Sequence, residues 1–259
     1  MVKVVVGGAS GKLGRTVCSM ISERAGMELV GGVVSPGGPH VGAEILPGVR
    51  AVSSERLEEA LRGAEVYVDL TSPAAAEENL PRVPATGVNM VVGTTGISDQ
   101  GLSKLREEVR RHGVSAVVSP NFSIGVNLFW KTCRDLAAVM GGYDIEIIEV
   151  HHRMKKDAPS GTAMRAAEII SEVTGIDRIA YGREGKVGAR GREIGIHAVR
   201  AGDVVGEHTV LFAGKKERIE LTHRAHSREA FAEGCLTAIE WVAGRRDGEI
   251  HTMEEVLGI

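Results

Sequence analysis

The sequence predicts an α/β chain of two domains: a parallel, doubly wound sheet first, then an α+β domain with an antiparallel or mixed sheet. Three observations predict it. β-branched apolar runs alternate with helical patterns as far as residue 122. Glycines at 8, 11 and 14 separate the first run from the first helical pattern. Beyond residue 190, three strand candidates follow one another with Gly-bearing loops and no helix between them.

Val2–Val6 is a continuous β-branched run, as expected of a strand buried on both faces of a parallel sheet. Leu13, Val17, Met20 and Ile21 then recur at helical spacing. Leu29–Val34, Val66–Leu70, Met90–Val92 and Ala116–Val118 read as further strands, with helices around Ala74–Leu80 and Leu102–Arg111. This alternation implies βαβ units. The pattern changes after Phe122, so the first domain is expected to span 1–122 and the second 123–227. Val126–Met140 reads as one long amphipathic helix, Ile145–Val150 as a strand and Ala163–Val173 as a helix. The strands Ile194–Val199, Thr209–Phe212 and Arg218–Thr222 follow, and Phe231–Val242 is a last helix.

Composition excludes several functions. Of 259 residues, 43% are hydrophobic and 25% charged, too apolar for a disordered chain. With 31 Lys and Arg against 34 Asp and Glu, the net charge of −3 argues against a nucleic-acid partner, which needs a basic surface. No apolar run approaches the roughly 18 residues of a membrane span, and the apolar start is too short for a signal peptide. The cytoplasm is the expected location. Cys18, Cys133 and Cys235 are far apart, lie in apolar helical stretches and are expected to be buried thiols.

Gly8-Ala9-Ser10-Gly11-Lys12-Leu13-Gly14 follows a strand and opens a helix. That position suits a pyrophosphate, held by close backbone approach and by N–H groups at the helix start. The spacing is G-x-x-G-x-x-G, and an ordinary glycine turn is the alternative reading. A Rossmann-type dinucleotide site normally has an acid after its second strand to bind the ribose hydroxyls. Here Val34-Ser35-Pro36 stands there. Lys12 and Ser35 can meet a 2′-phosphate, so NADPH is expected to serve at least as well as NADH, with dual use. Gly93-Thr94-Thr95-Gly96 and Ser119-Pro120-Asn121-Phe122 fall at the carboxyl ends of strands, where ligands of open α/β sheets bind.

The densest signal is Glu149-Val150-His151-His152-Arg153-Met154-Lys155-Lys156-Asp157-Ala158-Pro159-Ser160-Gly161-Thr162-Ala163. Five side chains that can carry positive charge lie within six residues at a strand end. Ser160 then reads as the N-cap of a helix, whose first N–H groups can bind a carboxylate. Histidine there can also exchange protons near neutral pH. A solvated charged face is the plainer reading. A metal site is not expected, because Lys and Arg would repel the ion and further ligands at fixed spacing are missing.

Glu-x-His-His-Arg-x-Lys-x-Asp-Ala-Pro-Ser-Gly-Thr-Ala resembles the signature of the dihydrodipicolinate reductases of diaminopimelate and lysine biosynthesis. The glycine loop, Asp69-Leu70-Thr71, Gly93-Thr94-Thr95-Gly96, Asn121–Asn127 and Arg200–His208 match in the same order, so the resemblance covers nearly the whole chain. It implies an NAD(P)H-dependent reductase of a small cyclic imine dicarboxylate, with residues 228–259 returning to the dinucleotide-binding domain and the second domain building a homotetramer. It implies that His151 and Lys155 are catalytic, and that His152, Ser160, Gly161 and Thr162 bind substrate. Cofactor contacts are implied at Gly8, Ala9, Ser10, Gly11, Lys12, Leu13, Ser35, Gly93, Thr94, Thr95, Ser119, Pro120, Asn121, Phe122 and Arg228. Val34, Ser35 and Ser72 depart from the family pattern. Another two-domain oxidoreductase, such as a semialdehyde dehydrogenase, would want a catalytic cysteine. A dinucleotide-sensing protein would not need His151 and Lys155.

Overall fold

The computed structural model describes residues 1–259. In chain order the elements begin β1 (Val2–Gly7), α1 (Lys12–Glu23), β2 (Met27–Val34), β3 (Glu44–Leu46), β4 (Val49–Ser53), α2 (Leu57–Ala60), β5 (Val66–Asp69) and α3 (Pro73–Asn79). They continue with β6 (Asn89–Val92), α4 (Asp99–His112), β7 (Ala116–Val118), α5 (Ile124–Met140), β8 (Asp144–His151), α6 (Gly161–Thr174) and β9 (Ile179–Tyr181). Last come β10 (Ile194–Arg200), β11 (Gly206–Ala213), β12 (Arg218–Ala225), α7 (Glu229–Ala243), β13 (Ile250–His251) and α8 (Met253–Leu257). Two compact units result, Met1–Ile124 with Glu229–Ile259, and Gly125–Arg228.

The first unit carries a sheet in the order β13-β7-β6-β5-β1-β2-β4-β3, parallel except for the β3–β4 pair. The central strands β1, β5 and β6 read as apolar runs because they are covered on both sides. On one face α1, α7 and α8 close a core with Val4, Val6, Val66, Val68, Val91 and Val117. The other face packs Val5, Tyr67, Met90 and Val92 against Leu57, Leu80 and Leu105. The β3–β4 hairpin, α2 and α8 were not expected from the pattern. Their strands and helices are three to five residues long and half-exposed, too short to display a period.

The second unit is built on a mixed sheet in the order β12-β11-β8-β10-β9. β10 runs parallel to β8 and β9, while β11 is antiparallel to β8 and β12. One face is covered by α5 and α6, whose Phe129, Trp130, Cys133, Ile169 and Ile170 meet Ile145, Ile147, Ile196, Val210 and Phe212. No helix covers the opposite face, where Ile148 and Val199 are exposed. All three cysteines are buried thiols, and burial pushes each up to about 12. No helix is long and apolar enough to cross a membrane.

Candidate active site

In the first unit the glycine loop is shaped by three close approaches. Gly8 has φ +74°, and a Cβ there would lie 2.2 Å from Leu70 O. A Cβ on Gly14 would lie 2.2 Å from Gly8 O, and a Cβ on Gly7 would collide with the Tyr67 hydroxyl at 2.1 Å. Gly11 is the N-cap of α1, no side chain caps that helix, and its first turn holds no acid. These features fit a pyrophosphate on the helix start.

Two cavities flank the end of β2. One, of about 270 Å³, is lined by Gly8, Ser10, Gly11, Val34, Ser35 and Ser54 among others. The second, of about 310 Å³, is lined by Ala9, Ser10, Arg15, Val34, His40 and Glu44 among others. The expected Ser35 thus lines a cavity, whereas Lys12 is exposed and lines neither. Arg15 and His40 were missed by sequence reasoning, since one is a helix residue and the other lies in a loop without pattern.

Buried Asp69 organises the neighbouring loops. Tyr67 OH donates to its Oδ2 at 3.1 Å, Thr71 Oγ1 to its Oδ1 at 2.9 Å, and the Thr94 hydroxyl also donates to Oδ1. Thr71 N–H donates to Thr94 Oγ1 at 2.8 Å, joining the β5 and β6 loops. Burial, with Asp69 beside it, raises the Tyr67 phenol well above its ordinary value, so it remains a donor. Gly93 has no room for a side chain, with Leu70 and Phe122 packed against it. Ser119 Oγ donates to Asn121 O at 2.7 Å, while Thr95 and Pro120 are exposed.

In the second unit the cationic segment follows β8. His151 is the last residue of that strand, and its Nδ1 lies 2.5 Å from Oε2 of fully buried Glu149. Glu149 Oε1 accepts from Ser160 N–H at 3.0 Å. Ser160 is the N-cap of α6, its hydroxyl accepting from Ala163 N–H, and no acid lies in the first turn. Gly161 is exposed, with nothing within 4 Å of where a Cβ would be. The Ala158–Pro159 peptide before it is cis. Trp130 Nε1 donates to Thr162 O at 3.1 Å. His152 is half-buried, and Lys155 Nζ pairs with Asp157 at 2.8 Å.

Burial lowers the His151 imidazole, and Lys155 and Arg200 push it the same way against the pull of Glu149. His151, Ser160 and Gly161 are thereby brought to one end of the sheet, with Lys155 in the loop between them. Arg228 is exposed and closes the second unit. Nowhere do three His, Cys, Asp or Glu side chains gather as a metal site.

The family model for the N-terminus of dihydrodipicolinate reductase matches residues 2–122, and that for its C-terminus matches residues 125–257. The chain belongs to the dihydrodipicolinate reductase family. A 4-hydroxy-tetrahydrodipicolinate reductase from Methanothermobacter thermautotrophicus is 46% identical over the full length of both chains. One from Methanopyrus kandleri is 47% identical, covering 99% of this chain and 97% of its own. A dipicolinate-bound dihydrodipicolinate reductase from Paenisporosarcina sp. TG-14 superposes with a TM-score of 0.82 at 29% identity. That match covers 98% of this chain and 99% of the other. Dihydrodipicolinate reductases thus match both units of the chain.

Proposed function

We propose that the chain reduces dihydrodipicolinate, or its hydroxylated precursor, to tetrahydrodipicolinate, using NADPH or NADH. Membership of the dihydrodipicolinate reductase family carries the reaction. The single geometric observation that carries the site is His151 held beside the capped start of α6 through Glu149. When bound, the dinucleotide supplies the hydride. Gly8, Ala9, Ser10, Gly11, Lys12, Leu13 and Ser35 would hold it, with Gly93–Thr95 and Ser119–Phe122 at the neighbouring strand ends, and Arg228 is a further proposed contact.

Reduction of a carbon conjugated with an imine leaves negative charge on the ring, which must be met by a proton. One proton balances the hydride: Lys155 Nζ donates it to the ring, and His151 is the acid/base group beside it, which takes up and returns a proton. The N–H groups of Gly161 and Thr162, with the Ser160 cap and His152, hold a substrate carboxylate at the start of α6. Replacing His151 or Lys155 by Ala is expected to lower kcat by about 10²–10⁴, with dinucleotide affinity unchanged. Undiminished turnover in either variant would remove the assignment.

The open face of the second sheet supports a homotetramer. Ile148 and Val199 there are exposed apolar side chains on strands with no helical cover, and a second copy can cover such a face. Light scattering is expected to give four chains per particle, and Ile148→Glu to reduce that number. The cytoplasm is the proposed location.

A further inference from the structure

The stretch Arg200–His208 has no part in the reaction as described, yet three of its residues converge on Glu149, His151 and Ser160. Parallel register sets Arg200 of β10 opposite His151 of β8. Arg200 Nη1 then donates to Glu149 Oε2 and Nη2 to Oε1, each at 2.8 Å. At Gly206 a Cβ would lie 3.1 Å from His151 Nε2, so glycine keeps that nitrogen clear. His208, opposite Glu149 in the antiparallel register, lies 2.9 Å from Ser160 Oγ through its Nε2 and meets the His151 ring edge-on at 5.1 Å.

A carboxylate only accepts hydrogen bonds, so the proton between Glu149 and His151 resides on Nδ1 while Glu149 is ionised. Burial works against that ionisation, but Arg200, His151 and the Ser160 N–H together hold the carboxyl below its usual range. We propose that Glu149, clamped by Arg200, is a positioning residue that fixes His151 as its Nδ1–H tautomer and leaves Nε2 to exchange protons. Its other oxygen anchors Ser160, so one carboxylate aligns the proton-transfer group with the carboxylate-binding turn. The arrangement follows the general rule that a group bonded to one ring nitrogen decides what the other does. It rests on the assignment of His151 above.

The groups facing His151 are Glu149 on its own strand, Lys155 in the following loop, Arg200 on β10 and His208 on β11. Of these only Glu149 raises the imidazole. In Glu149→Gln the amide NH₂ would donate to Nδ1, shifting the proton to Nε2, and the pH limb due to His151 would move down. Histidine-selective ¹⁵N NMR of the full chain, free of substrate and dinucleotide, reads the tautomer, with His151→Gln identifying the signal. The expected result is Nδ1–H in the unaltered chain and Nε2–H in Glu149→Gln, whose kcat falls about 10–100-fold with little change in KM. Arg200→Lys should keep the Nδ1–H tautomer with a smaller fall in kcat. Because the tautomer is read without reaction, its failure is distinct from failure of the assignment, which shows as full turnover in His151→Ala. An Nε2–H signal in the unaltered chain, or an unmoved pH limb in Glu149→Gln, would overturn the proposal.

Discussion

His208 Nε2 lies 2.9 Å from Ser160 Oγ, tying the cap of α6 to β11 through two buried side chains. Burial pushes the His208 imidazole down to about 3, with His151, His223 and Lys155 acting the same way and Glu149 opposing them. The unfolded chain titrates this group at 6.5, so unfolding takes up a proton below that pH. Stability from His208 is therefore complete above pH 6.5 and lost as pH falls toward 3. At about pH 5 the loss is about 2 kcal/mol. The urea midpoint should drop on acidification, and drop less in His208→Gln. An equal drop in both would assign acid sensitivity to another group.

At the start of α6, Gly161→Val should spare the fold, since the backbone is not left-handed there and a side chain meets open space. The same side chain would stand between substrate and the first N–H groups. Losing a charge-assisted hydrogen bond costs about 1.5–3 kcal/mol, so KM should rise about tenfold to a hundredfold. Steady-state kinetics beside an unchanged melting temperature would bear this out. Unchanged KM would move the carboxylate elsewhere.

Dinucleotide preference should depend on the walls of the two cavities beside β2. Arg15 and His40 line one of them, and Val34 and Ser10 line both. Calorimetric titration of the double variant Arg15→Ala with His40→Ala should show NADP⁺ affinity lowered about fivefold, as for exposed charge contacts, and NAD⁺ affinity unchanged. Val34→Glu should weaken NADP⁺ in the same direction by repelling its 2′-phosphate. Equal effects on both dinucleotides would rule out a role in that choice.

Asn89 is fully buried and joins three parts of the first unit. Its Nδ2 donates to Val242 O at 2.6 Å and Arg245 O at 3.1 Å, while its Oδ1 accepts from Ser115 N–H at 2.9 Å. Asn89→Ala strands those backbone groups, and about 2–4 kcal/mol of stability should be lost. Denaturant unfolding would measure it, and a loss below about 1 kcal/mol would mean that water replaces the amide.

Local features were legible in the sequence and long-range ones were not. The β-branched run of β1, the glycine loop and the Ser160 cap each depend on neighbours within a few residues, so pattern reveals them. His151 and Lys155 stood out for the same reason, as a run of cations in an acidic chain. Arg200, Gly206 and His208 reach the site only through the registers of β8 with β10 and β11, which no local pattern encodes. Asp69 likewise gathers hydroxyls from two separate loops, those of Thr71 and Thr94. β3 and β9 are three residues each, shorter than an alternation needs to be recognised.

Because α7 and α8 complete the core around β1 and α1, the first unit is interrupted in sequence by the second. A ribosome emits residues 125–228 before the helices that finish that core. Gly125–Arg228 has its own complete apolar core and can fold as soon as it emerges. The nascent first unit must meanwhile wait with that face covered by α1 alone, its share of the core from α7 and α8 still missing. The order of synthesis thus makes the dinucleotide-binding half the later to mature, and the half that a chaperone would need to shield.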